Sequence, residues 1–442
     1  MDALKLSEEF EQALATCPLL DVHSRLIGAR LSARGVHDLL LEPALYAELC
    51  AASPNRLGGE VSQSSAEPEA VVRRLVPQLS RTRNTVAGWG LRLLLRELYG
   101  WSEPLTSVNW ERLDALIGER AADPAWPKEV LRRAGIQRAC TDRAGRGLGT
   151  ADTVLQYSLE WGAFFKARAN EYDTALYELE RTWERLPEPP TAELRGLRPP
   201  TYKVLHSVHD VHEAVDHYVR NLPMAEIIAV TLRVGRFLPT QLPTATEFTS
   251  ALERRANAGE LESRIYSSYV AETLLEALES RTSDLAVVVH PTGTGGNSDP
   301  GSTTAMLLGW ASRHPMLRIV CLPESAALNA TLCVQARGLP NLAVGGIPWN
   351  AVSLDGIQRI FADRLDLLPI GRQCAFQSNA GCVEWAYARS VIARKQWANV
   401  LATRVLLGEF EFDEALAFAR EALFESAQGL LRMTTQAEHL RG

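Results

Sequence analysis

No apolar stretch in this chain reaches the roughly 18 residues that a membrane span requires. Basic residues are in deficit, 46 Lys and Arg against 53 Asp and Glu, for a net charge of −7. That balance argues against a nucleic-acid partner, which would leave a basic excess. The seven cysteines, at 17, 50, 140, 321, 333, 374 and 382, show no CxxC spacing. They read as reduced thiols, mostly buried small hydrophobes. Cys321, inside RIVCL, belongs to the core, and only Cys382, beside Asn379, suggests a site thiol. The opening MDALKLSEEFEQAL is an acidic amphipathic helix without the basic-then-apolar order of a signal peptide, so a cytoplasmic location is expected. Internal repeats and low-complexity segments are lacking as well.

What is there is an ordinary globular composition, 46% apolar and 22% charged over 442 residues. This length suits a large (β/α)₈ barrel with an insertion. Short β-rich runs recur, each followed by a longer helical pattern: LLDVH (19–23), AEIIAVTLR (225–233), DLAVVVH (284–290), LRIVCLP (317–323) and NLAVGG (341–346). Such alternation indicates βαβ units and a parallel sheet. The expected division is an N-terminal helix and first strand over 1–29, a helical insertion over 30–130 and the rest of the barrel over 131–382. C-terminal helices complete it over 383–442. A polar loop near 52–68 and a proline-rich connector at 185–200 interrupt the pattern.

Several runs end in a polar residue, His23, Arg233, His290 or Glu324. In a (β/α)₈ barrel the strand C-termini and the loops after them form the active-site face. His23 and Arg25 stand two apart and so share a face of their strand. Taken alone, a strand-end histidine is more often a satisfied structural group. PTGTGGNSDPG (291–301) is glycine-rich, but it has neither the P-loop Lys-Ser/Thr nor the GxGxxG order, so an adaptable loop is favoured over a phosphate cradle. HSVHDVHEAVDH (206–217) holds four of the nine histidines and reads as the solvated start of a helix rather than a zinc patch.

Taken in order, DVHSR (21–25), GVHDLLLEPALYAEL (35–49), RTRNTVAGWGLRLLLRELYGW (81–101), VVVHPTGTGGNSDPGS (287–302), NLAVGGIPWN (341–350) and FQSNAGCVEWAYARSVIARK (376–395) resemble segments of the uronate isomerase (glucuronate isomerase) family of the amidohydrolase superfamily. The resemblance implies a TIM-type (β/α)₈ barrel with a helical insertion after the first strand and a helical C-terminal extension. In that family two histidines on strand one and an aspartate on strand eight hold a divalent metal; the matching positions here are His23, Arg25 and Asn379. Arginine has no lone pair to donate. At about 4 Å and an effective dielectric near 20 it would repel a cation by about 4 kcal/mol per unit charge. No metal or other cofactor is therefore expected, with a weak divalent site such as zinc on His23, His290 and Asn379 as the alternative. The family's Tyr-His-Tyr segment stands as Glu42-Pro43-Ala44, and its Tyr-Trp-Trp-His run keeps only Trp349, with Asn350 in the histidine's place.

The resemblance implies isomerase or lyase chemistry on a carboxylate-bearing carbonyl compound, a sugar-acid-like small molecule. His23, Arg25 and His290 are the candidate catalytic groups: two imidazoles to move protons and a fixed cation to stabilise developing negative charge. Arg233 (or Arg236), Trp349 and Asn379 are the candidate substrate contacts, Arg233 holding a carboxylate bidentately. The competing reading of Arg25 is an ion pair with Asp21 or Glu324 that only fills the space of the absent metal. Two other functions stay open: a non-catalytic barrel binding a ligand or a partner, and a hydrolase with a weak metal site. The only partner expected is a small-molecule substrate, with no nucleic acid and no membrane; homo-oligomerisation is left open.

Overall fold

The computed structural model describes residues 3–28, 30–53, 67–142, 154–165, 172–183, 204–224, 226–234, 242–281, 285–291 and 300–432. Its eight strands are β1 (Leu19–Ser24), β2 (Ile136–Thr141), β3 (Leu155–Glu160), β4 (Ile227–Val234), β5 (Ala286–Pro291), β6 (Arg318–Cys321), β7 (Leu342–Gly345) and β8 (Gln373–Cys374). They form one sheet in chain order, and the registered pairs are parallel. Helices separate most successive strands, giving the (β/α)₈ topology. Every residue of β1, β5 and β7 is buried, which is why these stretches read as unbroken apolar runs.

The first compact unit comprises residues 1–157, 323–333 and 344–429. The stretch after β1 is helical, as expected, with helices Val36–Leu40, Pro43–Ala52, Pro68–Leu75, Leu79–Thr82, Val86–Tyr99, Trp110–Ala122 and Trp126–Ala134. The helix Val86–Tyr99 is bounded by chemistry written in its sequence. The Thr85 hydroxyl caps its start by accepting from the Gly88 N–H, and Gly100, at φ +65°, closes its end in the left-handed conformation. Its face turns toward the helix Val383–Leu406, where Gly90 lets Trp385 approach so closely that a Cβ would lie 3.0 Å from the ring.

That long helix is buried on nearly all sides and carries charge inward. Arg394 donates to the carbonyls of Ala134 and Cys17, the last turn of one helix and the lead-in to β1. Burial pulls its pKa down to about 10. Glu384 accepts from the Ala33 N–H, the Tyr99 hydroxyl and the Trp126 indole, at 3.0–3.1 Å, while the Trp385 indole donates to the Leu39 carbonyl. The Glu-Trp pair thus clasps the helical insertion to the C-terminal helix.

The second unit comprises 158–322, 334–343 and 430–442. Here β4 and β5 run in register from Ala229 and Ala286 to Val234 and Pro291, and β5 continues the pairing to β6. The histidine-rich segment is the start of the helix Val208–Arg220, where Ser207 and Asp210 form a reciprocal capping box. His206 and His209 are exposed and His212 meets the Tyr269 hydroxyl, a solvated helix start rather than a zinc site. The connector at 185–200, most of the loop near 52–68, residues 292–299 of the glycine-rich segment and Arg236 fall outside the described residues. Within those residues, no helix is long and apolar enough to cross a membrane.

Candidate functional site

β1 delivers Asp21, His23 and Arg25 along one face, and β8 leads into Gln377, Ser378 and Asn379 beside them. The link is backbone: the Val22 N–H donates to the Phe376 carbonyl, Asn379 N–H to His23 carbonyl and Arg25 N–H to Ala380 carbonyl. Asn379 sits at φ +48°, a left-handed position that asparagine tolerates better than most residues. Its side chain is half-buried beside Arg25, whose Nε donates to the Asn379 carbonyl at 2.9 Å.

Arg25 does not pair with Asp21 or Glu324, the partners anticipated from the sequence. Its Nη2 instead donates to Glu42 Oε1 at 2.8 Å, and a second guanidinium, Arg389, reaches the same oxygen at 2.9 Å. Glu42 and Arg389 are 4% and 3% exposed and Arg25 is 19% exposed, so Arg25 is the cluster's open side. Arg389 also donates to the Ser378 carbonyl and lies over the rings of Trp349 and Trp385, 5.3 and 5.7 Å from their centres. Burial lowers its pKa, with Glu42 opposing and Arg25 adding to the fall.

Trp349, expected as a substrate contact, belongs to this same cluster. It is buried, donates its indole N–H to the Gln377 carbonyl at 2.6 Å and backs Arg389. Glu42 and Arg389 are the residues that sequence reasoning missed. Glu42 drew notice only as a lost aromatic, and Arg389 sits in what reads as an ordinary helical stretch.

Asp21 lies one step below His23 and is fully buried. Its Oδ1 accepts from the backbone N–H of Ser378 at 2.8 Å and of His23 at 3.3 Å, while Oδ2 has no hydrogen-bond partner among the described residues. Burial pushes its pKa up to about 7, against the pull of the Ser378 hydrogen bonds and Arg389. Cys382 is buried and its thiol is pushed well above the ordinary value, first by burial and then by Glu384. It is therefore no thiolate nucleophile, and the suggestion of a site thiol is withdrawn.

In the second unit Arg233 and His290 are register partners at the C-terminal ends of β4 and β5. His290 is buried, and the half-exposed Arg233 meets the Glu160 carboxylate of β3 at 3.0 Å. The six candidate residues thus fall into two sets: His23, Arg25, Trp349 and Asn379 in one unit, Arg233 and His290 in the other. Among the described residues no group of three or more His, Cys, Asp or Glu side chains is placed to hold a metal ion.

Topology and the polar strand ends define a (β/α)₈ protein with a charged site at the end of its first and last strands. The fold is that of uronate isomerases. It is similar to glucuronate isomerase from Caulobacter crescentus at a TM-score of 0.74 and 14% identity, over 98% of this chain and 95% of that one. It is likewise similar to a uronate isomerase from Bacillus halodurans, at TM-score 0.72 and 13% identity over 100% of both chains. A uronate isomerase from Thermotoga maritima gives TM-score 0.72 and 13% identity over 97% of each. Neither a family model nor a curated protein matches the sequence itself.

Proposed function

We propose that this chain is a uronate-isomerase-like enzyme that acts on a carboxylate-bearing carbonyl compound with a guanidinium where the fold's relatives would place a metal. The observation that carries the reading is the convergence of Arg25 and Arg389 on a single oxygen of Glu42 beside His23 and Asn379. Two cations against one carboxylate leave a positive excess at a buried place whose open side is Arg25. An anion meeting that side, a substrate carboxylate or an enolate oxygen, gains a charge-assisted hydrogen bond at a fixed donor.

The same residues do not suit a divalent metal. Arg25 occupies a ligand position and is held there by two hydrogen bonds. Asn379 carries no charge, and the nearby carboxylate of Glu42 is already shared by two arginines. In the reaction class proposed, a base takes the proton from the hydroxyl-bearing carbon next to the carbonyl, and the electron pair moves to the carbonyl oxygen. A proton then returns to the former carbonyl carbon, while the hydroxyl proton passes to the former carbonyl oxygen and the hydroxyl-bearing carbon becomes the new carbonyl. His23 and His290 are the proton-transfer groups of this reading, Arg25 stabilises the oxyanion and Arg233 holds a carboxylate.

A second reading has its own observation. Arg25 is paired, and a pair that only fills space would also look like this. Arg25→Ala separates the two. As the electrostatic stabiliser, its loss should lower kcat/KM by roughly 10²-fold, with Arg25→Lys in between because it keeps the charge but not the planar fork. As a filler, its loss should lower the melting temperature and leave turnover per folded molecule unchanged. Uronates and related keto acids are the first substrates to test. Metal analysis of protein purified without a chelating tag is the parallel measurement: full occupancy at His23 would overturn the metal-free reading.

A further inference from the structure

A large cavity lies away from the strand ends, in the helical insertion. It encloses about 730 Å³ between the helices Leu79–Thr82 and Val86–Tyr99 and the segment 101–106. That is within the roughly 300–1,000 Å³ typical of small-molecule sites. Its walls are apolar, built from Trp89, Leu91, Leu95, Trp101 and Leu105, and Arg83, Arg92 and Arg96 stand among the lining residues.

The charges are unevenly spent. Arg96 is paired with Glu97, and Glu103, the acidic residue of the lining, is paired with Arg112, which also covers the Trp101 ring. Arg92 donates only to the Arg83 carbonyl, and the Arg83 guanidinium has no partner among the described residues. Two cations without a counter-charge thus border an apolar hollow. Trp101, 7% exposed, adds a broad apolar ring to the wall.

We infer that this cavity binds a small amphipathic anion: an apolar body of hydrocarbon or aromatic type against the tryptophans and leucines, and a carboxylate toward Arg83 and Arg92. The walls supply the apolar burial, and the arginines select the charged head. This site is separate from the Arg25 cluster and does not depend on its function.

Calorimetric titration of the full chain with decanoate and, as the uncharged counterpart, decanol tests the proposal. Decanoate should bind saturably at one site per chain and roughly tenfold more tightly than decanol, the equivalent of about one charge-assisted contact. Arg83→Ala with Arg92→Ala, both at exposed side chains, should remove that preference while decanol binding persists. Arg25→Ala should leave both titrations as they are. The proposal is overturned if decanoate fails to saturate below its micelle concentration, or if the double arginine variant binds it as tightly as the parent. It is overturned equally if sedimentation shows a dimer that Trp89→Glu dissociates, since a second copy would then cover the cavity.

Discussion

Two ion clusters in this molecule use the same residue types to opposite ends. In the first unit Arg25 and Arg389 share one oxygen of Glu42. In the second, Arg313 grips Glu272 with two hydrogen bonds, and His314 is held between Glu272 and Glu279 at 3.2 and 3.1 Å. Glu279 also accepts from the Met316 N–H, and Asn341 ties off the His314 carbonyl. The second cluster has as many carboxylates as bases, two of each, and its acceptors are used. The first has an excess of cation and an open edge at Arg25. A buried network whose charges match is scaffolding; one that is short of a counter-charge is built to receive it.

Removing the shared carboxylate should break this comparison most visibly. Glu42→Ala leaves two guanidiniums facing each other in a largely buried place, and should cost about 3–5 kcal/mol in urea denaturation. Millimolar carboxylate anions should restore part of that loss, about 2.7 kcal/mol at a hundred times their Kd. Glu272→Ala should be comparably damaging but deaf to added anion. Equal rescue of both variants would erase the distinction between the clusters.

Asp21 sharpens the contrast through pH. Its carboxyl is raised from 3.8 to about 7, so the folded state holds the proton more tightly than the unfolded chain. The stability tied to that proton is fully present below pH 4 and is lost as pH climbs through 7. The interval corresponds to roughly 4 kcal/mol across the window, at about 1.36 kcal/mol per pH unit. Asp21→Asn should flatten that part of the stability–pH curve, as read by denaturation midpoints between pH 4 and 8.

The smallest effect belongs to His314, whose pKa burial alone would lower but which hydrogen bonds to Glu272 and Glu279 raise above the ordinary value. Its contribution is complete below about pH 6.5 and fades as pH rises through the raised value. His314→Gln should remove that fading, with a loss of about 1–3 kcal/mol at pH 6. An unaltered curve would mean that His314 is not charged in the folded protein.

The physics of the strands explains what was readable in advance. β1, β4, β5, β6 and β7 announced themselves because strands covered on both faces become continuous runs of Val, Ile and Leu. β2 and β3 did not: IQRACT and LQYSLE mix polar residues into the run, with exposed or half-exposed positions at Gln137, Arg138, Gln156 and Tyr157. β8 is two residues long and too short to carry a period. Helix ends such as Thr85 and Gly100 are set locally, by a hydroxyl cap and a left-handed glycine.

The sequence by itself determined five of the strands and the alternation of strands with helices, the helical insertion, and the polar residues at the strand ends. Each rests on local composition or on spacing within a single element. Only the tertiary structure decided what those residues touch. Glu42 meets Arg25 across 17 positions and Arg389 across 347. Trp349 comes to lie against Arg389, and burial pushes the Asp21 pKa up to about 7 as the chain closes over it. Charge pairing and desolvation depend on distance and dielectric, and those exist only after distant segments have packed together.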